Sequence, residues 1–145
     1  MKRATISTKF YLSLVEFLMS AKQHLVAIGA ESGLSSIQAV TLLLLDEHTP
    51  RPMKNLGQLF HCDASNITGI IDGLEQKGLV ARQNDPSDRR IKTICICPAG
   101  KKLQQHILNQ LAQGSGFLFD PLTPTEAEQF VRIVEKLTPP RKSAL

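Results

Sequence analysis

The chain has 145 residues, 42% of them hydrophobic and 21% charged, with a formal net charge of +4. This is ordinary globular composition at a length that suits one domain with a real apolar core, which argues against disorder, a membrane protein or two independent cores. The positive balance favours anionic partners, because a basic face gains affinity by releasing counterions from a phosphate backbone, but it does not by itself identify nucleic acid.

Met1-Lys2-Arg3 leads into an interrupted pattern without the apolar core of a signal peptide, so the expected location is the cytoplasm. The apolar residues Ile6, Phe10, Leu14, Phe17, Leu18, Ala21, Leu25 and Ile28 then recur at three- and four-residue steps. They predict a long first helix with one buried stripe, ending near Gly29. Leu34-Ser35-Ser36-Ile37-Gln38 offers a capping box for a second helix running to about Glu47. The longest apolar run of the chain, Val40 to Leu45 broken by Thr41, is far too short to cross a bilayer. His48-Thr49-Pro50-Arg51-Pro52 is a breaker, after which Met53, Leu56, Leu59 and Phe60 predict a short amphipathic helix.

Asp63 is a good N-cap for the next helix, with Ile67, Ile70, Ile71 and Leu74 facing inward and Ser65, Asn66, Thr68, Gly69, Asp72 and Gly73 facing outward; Gly78 closes it. Leu79-Val80-Ala81-Arg82 and Ile91 to Cys97 alternate as strands, and Asn84-Asp85-Pro86-Ser87-Asp88 between them is turn chemistry, so the pair predicts a hairpin with a charged tip. Pro98 opens a helix carrying Leu103, Ile107, Leu108 and Leu111 toward Gly114. Thr123-Pro124-Thr125-Glu126 caps a last helix with Phe130, Ile133, Val134 and Leu137 on its apolar face, and Pro139 to Leu145 is read as a frayed tail.

Two short helices joined by a tight break, the second apolar within and small and polar without, form a helix-turn-helix pattern whose outer face fits a DNA major groove. Ser65, Asn66 and Thr68 carry short donors and acceptors for base edges or phosphates, while Gly69 and Gly73 permit close approach. Arg89, Arg90 and Lys92 place cations on or beside the projecting hairpin, and arginine suits the negative potential of a narrow minor groove. Asp88 is expected to pair with Arg90 and fix its direction.

With the stretch Leu74-Glu75-Gln76-Lys77-Gly78-Leu79-Val80-Ala81-Arg82 and the turn Asp85-Pro86-Ser87-Asp88-Arg89-Arg90, this order of parts resembles the MarR family of regulators. The resemblance implies a mainly α fold with a small β-hairpin wing, a single domain over 1–145. About 34–97 would form the winged helix-turn-helix, and about 1–33 with 98–145 the dimerisation helices. It further implies a cytoplasmic homodimer that binds a pseudo-palindromic double-stranded DNA site, commonly as a repressor, and releases it to a small aromatic or phenolic effector. An interaction module that has lost DNA binding is the alternative, motivated by Gly69 where the family usually has arginine.

A second departure is Ile96-Cys97-Pro98-Ala99-Gly100 in place of the usual Leu-Thr-x-x-Gly. It puts Cys97 at a helix N-terminus, where the dipole favours thiolate, with Cys95 two residues away as a second candidate redox thiol. Cys62, Cys95 and Cys97 are an odd number at no zinc-finger spacing, so reduced thiols are expected and no disulfide scaffold. His24, His48, His61 and His106 show no ligand spacing, and there is no phosphate loop, nucleophile elbow or paired-carboxylate pocket. Neither a metal, a cofactor nor an enzymatic activity is expected.

Overall fold

The first helix, α1 (Thr8–Glu31), runs past the predicted stop at Gly29, which is buried inside it. The residue that ends it is Gly33, whose φ of +67° lets the chain turn back so that the Leu34 amide bonds the Gly29 carbonyl at 2.8 Å. The computed structural model describes residues 8–113 and 119–138, so Ile6, Gly114 and the tail from Pro139 lie outside the described residues.

The predicted capping box starts α2 (Ser36–Leu44): the Ser35 hydroxyl accepts from the Gln38 amide, and the Gln38 side chain accepts from the Ser35 amide. This helix stops short of Glu47 because Leu45 is extended and the Asp46 carboxylate accepts from the His48 and Thr49 amides, turning the chain. Within the predicted breaker lies a short strand, β1 (Arg51–Pro52), which leads into α3 (Met53–Leu59). Leu56 of α3 is fully buried, but Leu59, expected on the same inner face, is 49% exposed. Asp63 caps α4 (Ala64–Gln76) by accepting from the Asn66 amide at 2.8 Å, and Gly78 at φ +68° closes it as expected.

Strands β2 (Val80–Asn84) and β3 (Lys92–Ile96) form the predicted hairpin, and β1 adds antiparallel to β3, giving the order β1-β3-β2. Proline is tolerated in β1 because that strand sits at the edge of the sheet. Helices α5 (Pro98–Gln113) and α6 (Pro124–Leu137) follow, α6 on the predicted Thr123–Glu126 capping box.

Leu42, Leu56, Ile71, Leu74 and Ile94 meet with Ile107 of α5 in one core, so the helix-turn-helix and sheet rest on the first turns of α5. The amide of Gln104 strengthens that seat by donating to the Leu42 and Leu45 carbonyls, both at 2.8 Å, which caps the end of α2 from another helix.

The first helix departs from expectation in a second respect. Its apolar stripe is only partly covered by the other described residues: Phe17, Ala21 and Leu25 are half-buried, Phe10 and Leu18 are each 50% exposed, and α1 buries only Ile28 and Gly29. The last helix behaves alike, with Val131, Ile133, Val134 and Leu137 exposed and none of its residues buried. Phe17, Phe119 and Phe130 join the two helices through ring contacts with centroids 5.4–6.1 Å apart. Helical period identifies an apolar face, but the described residues leave much of this one open. No single described helix is long and apolar enough to cross a membrane.

Candidate nucleic-acid interface

Ser65, Asn66, Thr68 and Gly69 all lie exposed on the first half of α4, over an inner face of Ile67, Ile71 and Leu74. The Asp63 cap satisfies a helix-end amide and holds the first turn, and the Ser65 and Asn66 side chains have no partner among the described residues. The Thr68 hydroxyl donates to the Ala64 carbonyl at 2.7 Å, so toward an outside partner it is an acceptor. A Cβ built on Gly69 meets nothing within 4 Å. Gly69→Ala is therefore expected to stabilise the fold by about 1 kcal/mol, the helix-propensity difference, seen as a raised thermal midpoint.

Gly73 corrects the outward reading. A Cβ there would stand 2.3 Å from the Gln38 amide nitrogen, so this glycine admits the side chain of α2 against α4 and serves packing between helices.

The wing is ordered by its own carboxylates. Asp85 accepts from the Ser87 amide at 2.8 Å and the Asp88 amide at 3.2 Å, and its amide donates to the Ile91 carbonyl at 2.9 Å. Asp88 accepts from the Arg90 amide at 3.0 Å and from its Nε at 3.1 Å, with Nη2 at 3.4 Å from the other oxygen. The Arg90 side chain stays 91% exposed, so Asp88 directs it without covering it. The Arg90 contact holds the Asp88 carboxyl below the usual carboxylate range, as the Ser87 hydroxyl does for Asp85. Arg89 has no partner among the described residues. Lys92 lies at the start of β3, not at the tip, and donates to the Asn84 side chain at 2.6 Å.

The surroundings of Cys97 do not favour the thiolate that its helix-terminal position suggested for a candidate redox thiol. Burial pushes its thiol up, and Cys95 and Glu75 nearby push the same way, while the Cys95 thiol donates to the Ala81 carbonyl at 3.3 Å across the hairpin. No group of three or more His, Cys, Asp or Glu residues suited to a metal ion occurs among the described residues.

Arg82 was read from sequence only as a strand residue, yet it joins the two halves of the interface. From β2 its guanidinium meets Asp72 and Glu75 of α4 and donates to the Thr68 carbonyl at 3.4 Å, while its amide donates to Glu75 at 3.1 Å. The available signal was two carboxylates three residues apart on a helix, followed by an arginine in the adjoining strand.

A polar recognition helix beside an arginine-bearing hairpin, both seated on a single core, defines a winged helix-turn-helix protein. Residues 34–92 match the MarR family model. The chain is 30% identical to the uncharacterized HTH-type transcriptional regulator YpoP of Bacillus subtilis over 104 residues, covering 72% of this chain and 74% of that one. A probable transcriptional regulator from Pseudomonas aeruginosa has the same fold at a TM-score of 0.71 and 27% identity, over 90% of this chain and 98% of the other. Wild-type apo MarR from E. coli shares the fold alone, with a TM-score of 0.73 at 17% identity over 94% of this chain and all of that one. The chain belongs to the MarR family and is a DNA-binding transcriptional regulator.

Proposed function

We propose that this regulator is a cytoplasmic repressor that binds a pseudo-palindromic site as a homodimer, each protomer placing α4 in a major groove and its wing in the flanking minor groove. The single observation that carries this reading is the pairing of an exposed Ser65–Asn66–Thr68 face, on which the Thr68 hydroxyl keeps its acceptor capacity, with a wing whose Arg90 is directed by Asp88. Arg89, Arg90 and Lys92 supply the electrostatic contacts, and Gly69 supplies no side chain at a position that α4 leaves open. The apolar faces of α1 and α6 support a second copy as their cover, since a monomer rarely exposes so much contiguous apolar surface. On this division, α1 with α5 and α6 forms the dimerisation part of a single domain.

Release by a small aromatic or phenolic effector is supported by a cavity of about 450 Å³ where Glu47 and the end of β3 meet the first turns of α5, lined by Glu47, Ile96, Cys97, Pro98, Lys101, Lys102 and Gln105. The Lys101 ammonium pairs with Glu47, holding that carboxyl below its ordinary range. Ile96 and Pro98 offer an apolar wall to an aromatic ring, and Lys102 and Gln105 offer donors to a phenolic oxygen.

Selection from a random DNA pool, followed by gel-shift titration at several salt concentrations, tests the reading. Inverted half-sites about one helical turn apart are expected. Equal competition by unrelated DNA, or no salt-dependent binding, overturns it in favour of an interaction module. Asn66→Ala is expected to relax the enriched sequence at one position per half-site, at a cost of about 1–3 kcal/mol there, measured by repeating the selection with the variant.

A further inference from the structure

The recognition helix is poorly charged for its task. Across Ala64–Gln76 it carries Asp72 and Glu75 and no lysine or arginine, so taken alone it would be repelled by a phosphate backbone. Thr68, Asp72 and Glu75 fall four and three residues apart, on one stripe of α4, and that stripe faces the strand leading into the wing. A single side chain engages all three. The Arg82 Nη1 meets Glu75, Nη2 meets Asp72 and donates to the Thr68 carbonyl, and the side chain is only 25% exposed. Its own amide, bonded to Glu75, fixes the backbone of β2 to the same carboxylate.

We infer that Arg82 is a positioning residue for DNA recognition: it neutralises the two carboxylates of α4 and sets the angle between that helix and the wing, so that groove-reading face and wing arginines reach DNA as one rigid unit. The inference rests on the DNA-reading role proposed above. A guanidinium is suited to it, because its planar fork offers donors in several fixed directions at once, which a lysine ammonium on a flexible stem does not. The guanidinium is charged at every working pH in any case, and the Asp72 contact tightens its hold on the proton further. Arg82 differs in kind from Arg89 and Arg90: they project, whereas it is spent on the protein's own carboxylates and has little left for phosphate.

Three variants separate geometry from charge. Arg82→Lys keeps the charge without the fork, Arg82→Gln removes both, and Arg82→Gln with Asp72→Asn and Glu75→Gln removes the clamp while leaving no unpaired carboxylate. The readouts are affinity for the selected site across salt, and amide hydrogen exchange of α4, β2 and β3 in the free protein. All three variants are expected to exchange faster in the second half of α4 and in the hairpin, and to bind the site about tenfold more weakly or worse. Their salt slope should match wild type, since no phosphate contact is removed.

Wild-type affinity in Arg82→Gln, or recovery of affinity in the triple variant, would overturn the positioning role. So would a salt slope reduced by about 1 with unchanged exchange, which marks a direct phosphate contact. If wild-type protein selects no sequence, the DNA-reading role falls, and hydrogen exchange alone decides the clamp: faster exchange in the variants upholds it and unchanged exchange overturns it.

Discussion

Replacing Arg89 and Arg90 together by alanine should weaken binding to the selected site by about 1–3 kcal/mol per arginine, with the thermal midpoint nearly unchanged. Both side chains project from a surface turn, and neither contributes to the core. The salt dependence carries more information than the affinity. Each lost phosphate contact removes about 0.9 from the slope of log K against log salt, so a bound dimer engaging both arginines of both wings should lose about 3.6, and a single engaged chain about half that. Gel shifts from low to physiological salt therefore report on the wing and on stoichiometry together. An unchanged slope would mean that the wing does not touch DNA. Affinity should fall further than charge alone requires, because loss of Arg90 leaves Asp88 unpaired on a tip facing phosphate.

Gly100→Ala should be the most destabilising single methyl that can be added at a described glycine. A Cβ at this position in the first turn of α5 would stand 2.0 Å from the Leu79 carbonyl oxygen and 2.9 Å from its carbon. That carbonyl accepts from the Cys97 amide at 2.9 Å, next to the Val80–Ile96 pair that closes the hairpin. Relief would require moving backbone at the junction of wing and α5, since the two nearest atoms are backbone and the third, Ile96 Cγ1, is 3.0 Å away. A cost of about 3 kcal/mol or more is expected, outweighing the gain in helix propensity, with a fall in thermal midpoint on the order of 10 °C. The same substitution at Gly69 goes the other way because α4 is open there. Melting curves of the two variants, shifted in opposite directions, check both statements, and a Gly100→Ala midpoint at or above wild type would contradict the seat described for α5.

Much of the interface was legible because the interactions that build it are local. The Ser35–Gln38 and Thr123–Glu126 boxes, the Asp63 cap, the Gly78 stop and the Asp88–Arg90 pair all join groups within four residues, so spacing in the chain stands for spacing in space. The inner face of α4 follows helical period in the same way.

Contacts that close over longer separations were not legible. The pairing of Arg51 with Ile94 makes β1 a strand although its two residues have no pattern of their own. Gly73 looked like a DNA-facing glycine until Gln38 was placed against it, and Cys97 looked like a helix-end thiolate until packing covered it. Arg82 had a strand position but no role until α4 crossed it.

The sequence alone thus determined the six described helices, the hairpin and its turn, the inner face of α4, and the place of the wing arginines, because these follow from periodicity and short-range hydrogen bonding. Tertiary structure decided what each face meets: α4 and β2 clamped by one arginine, α5 seated on the Leu79 carbonyl, and α1 and α6 left partly uncovered. A hydrophobic stripe records the need for a partner surface, and only the folded chain reveals whether it supplies that surface itself.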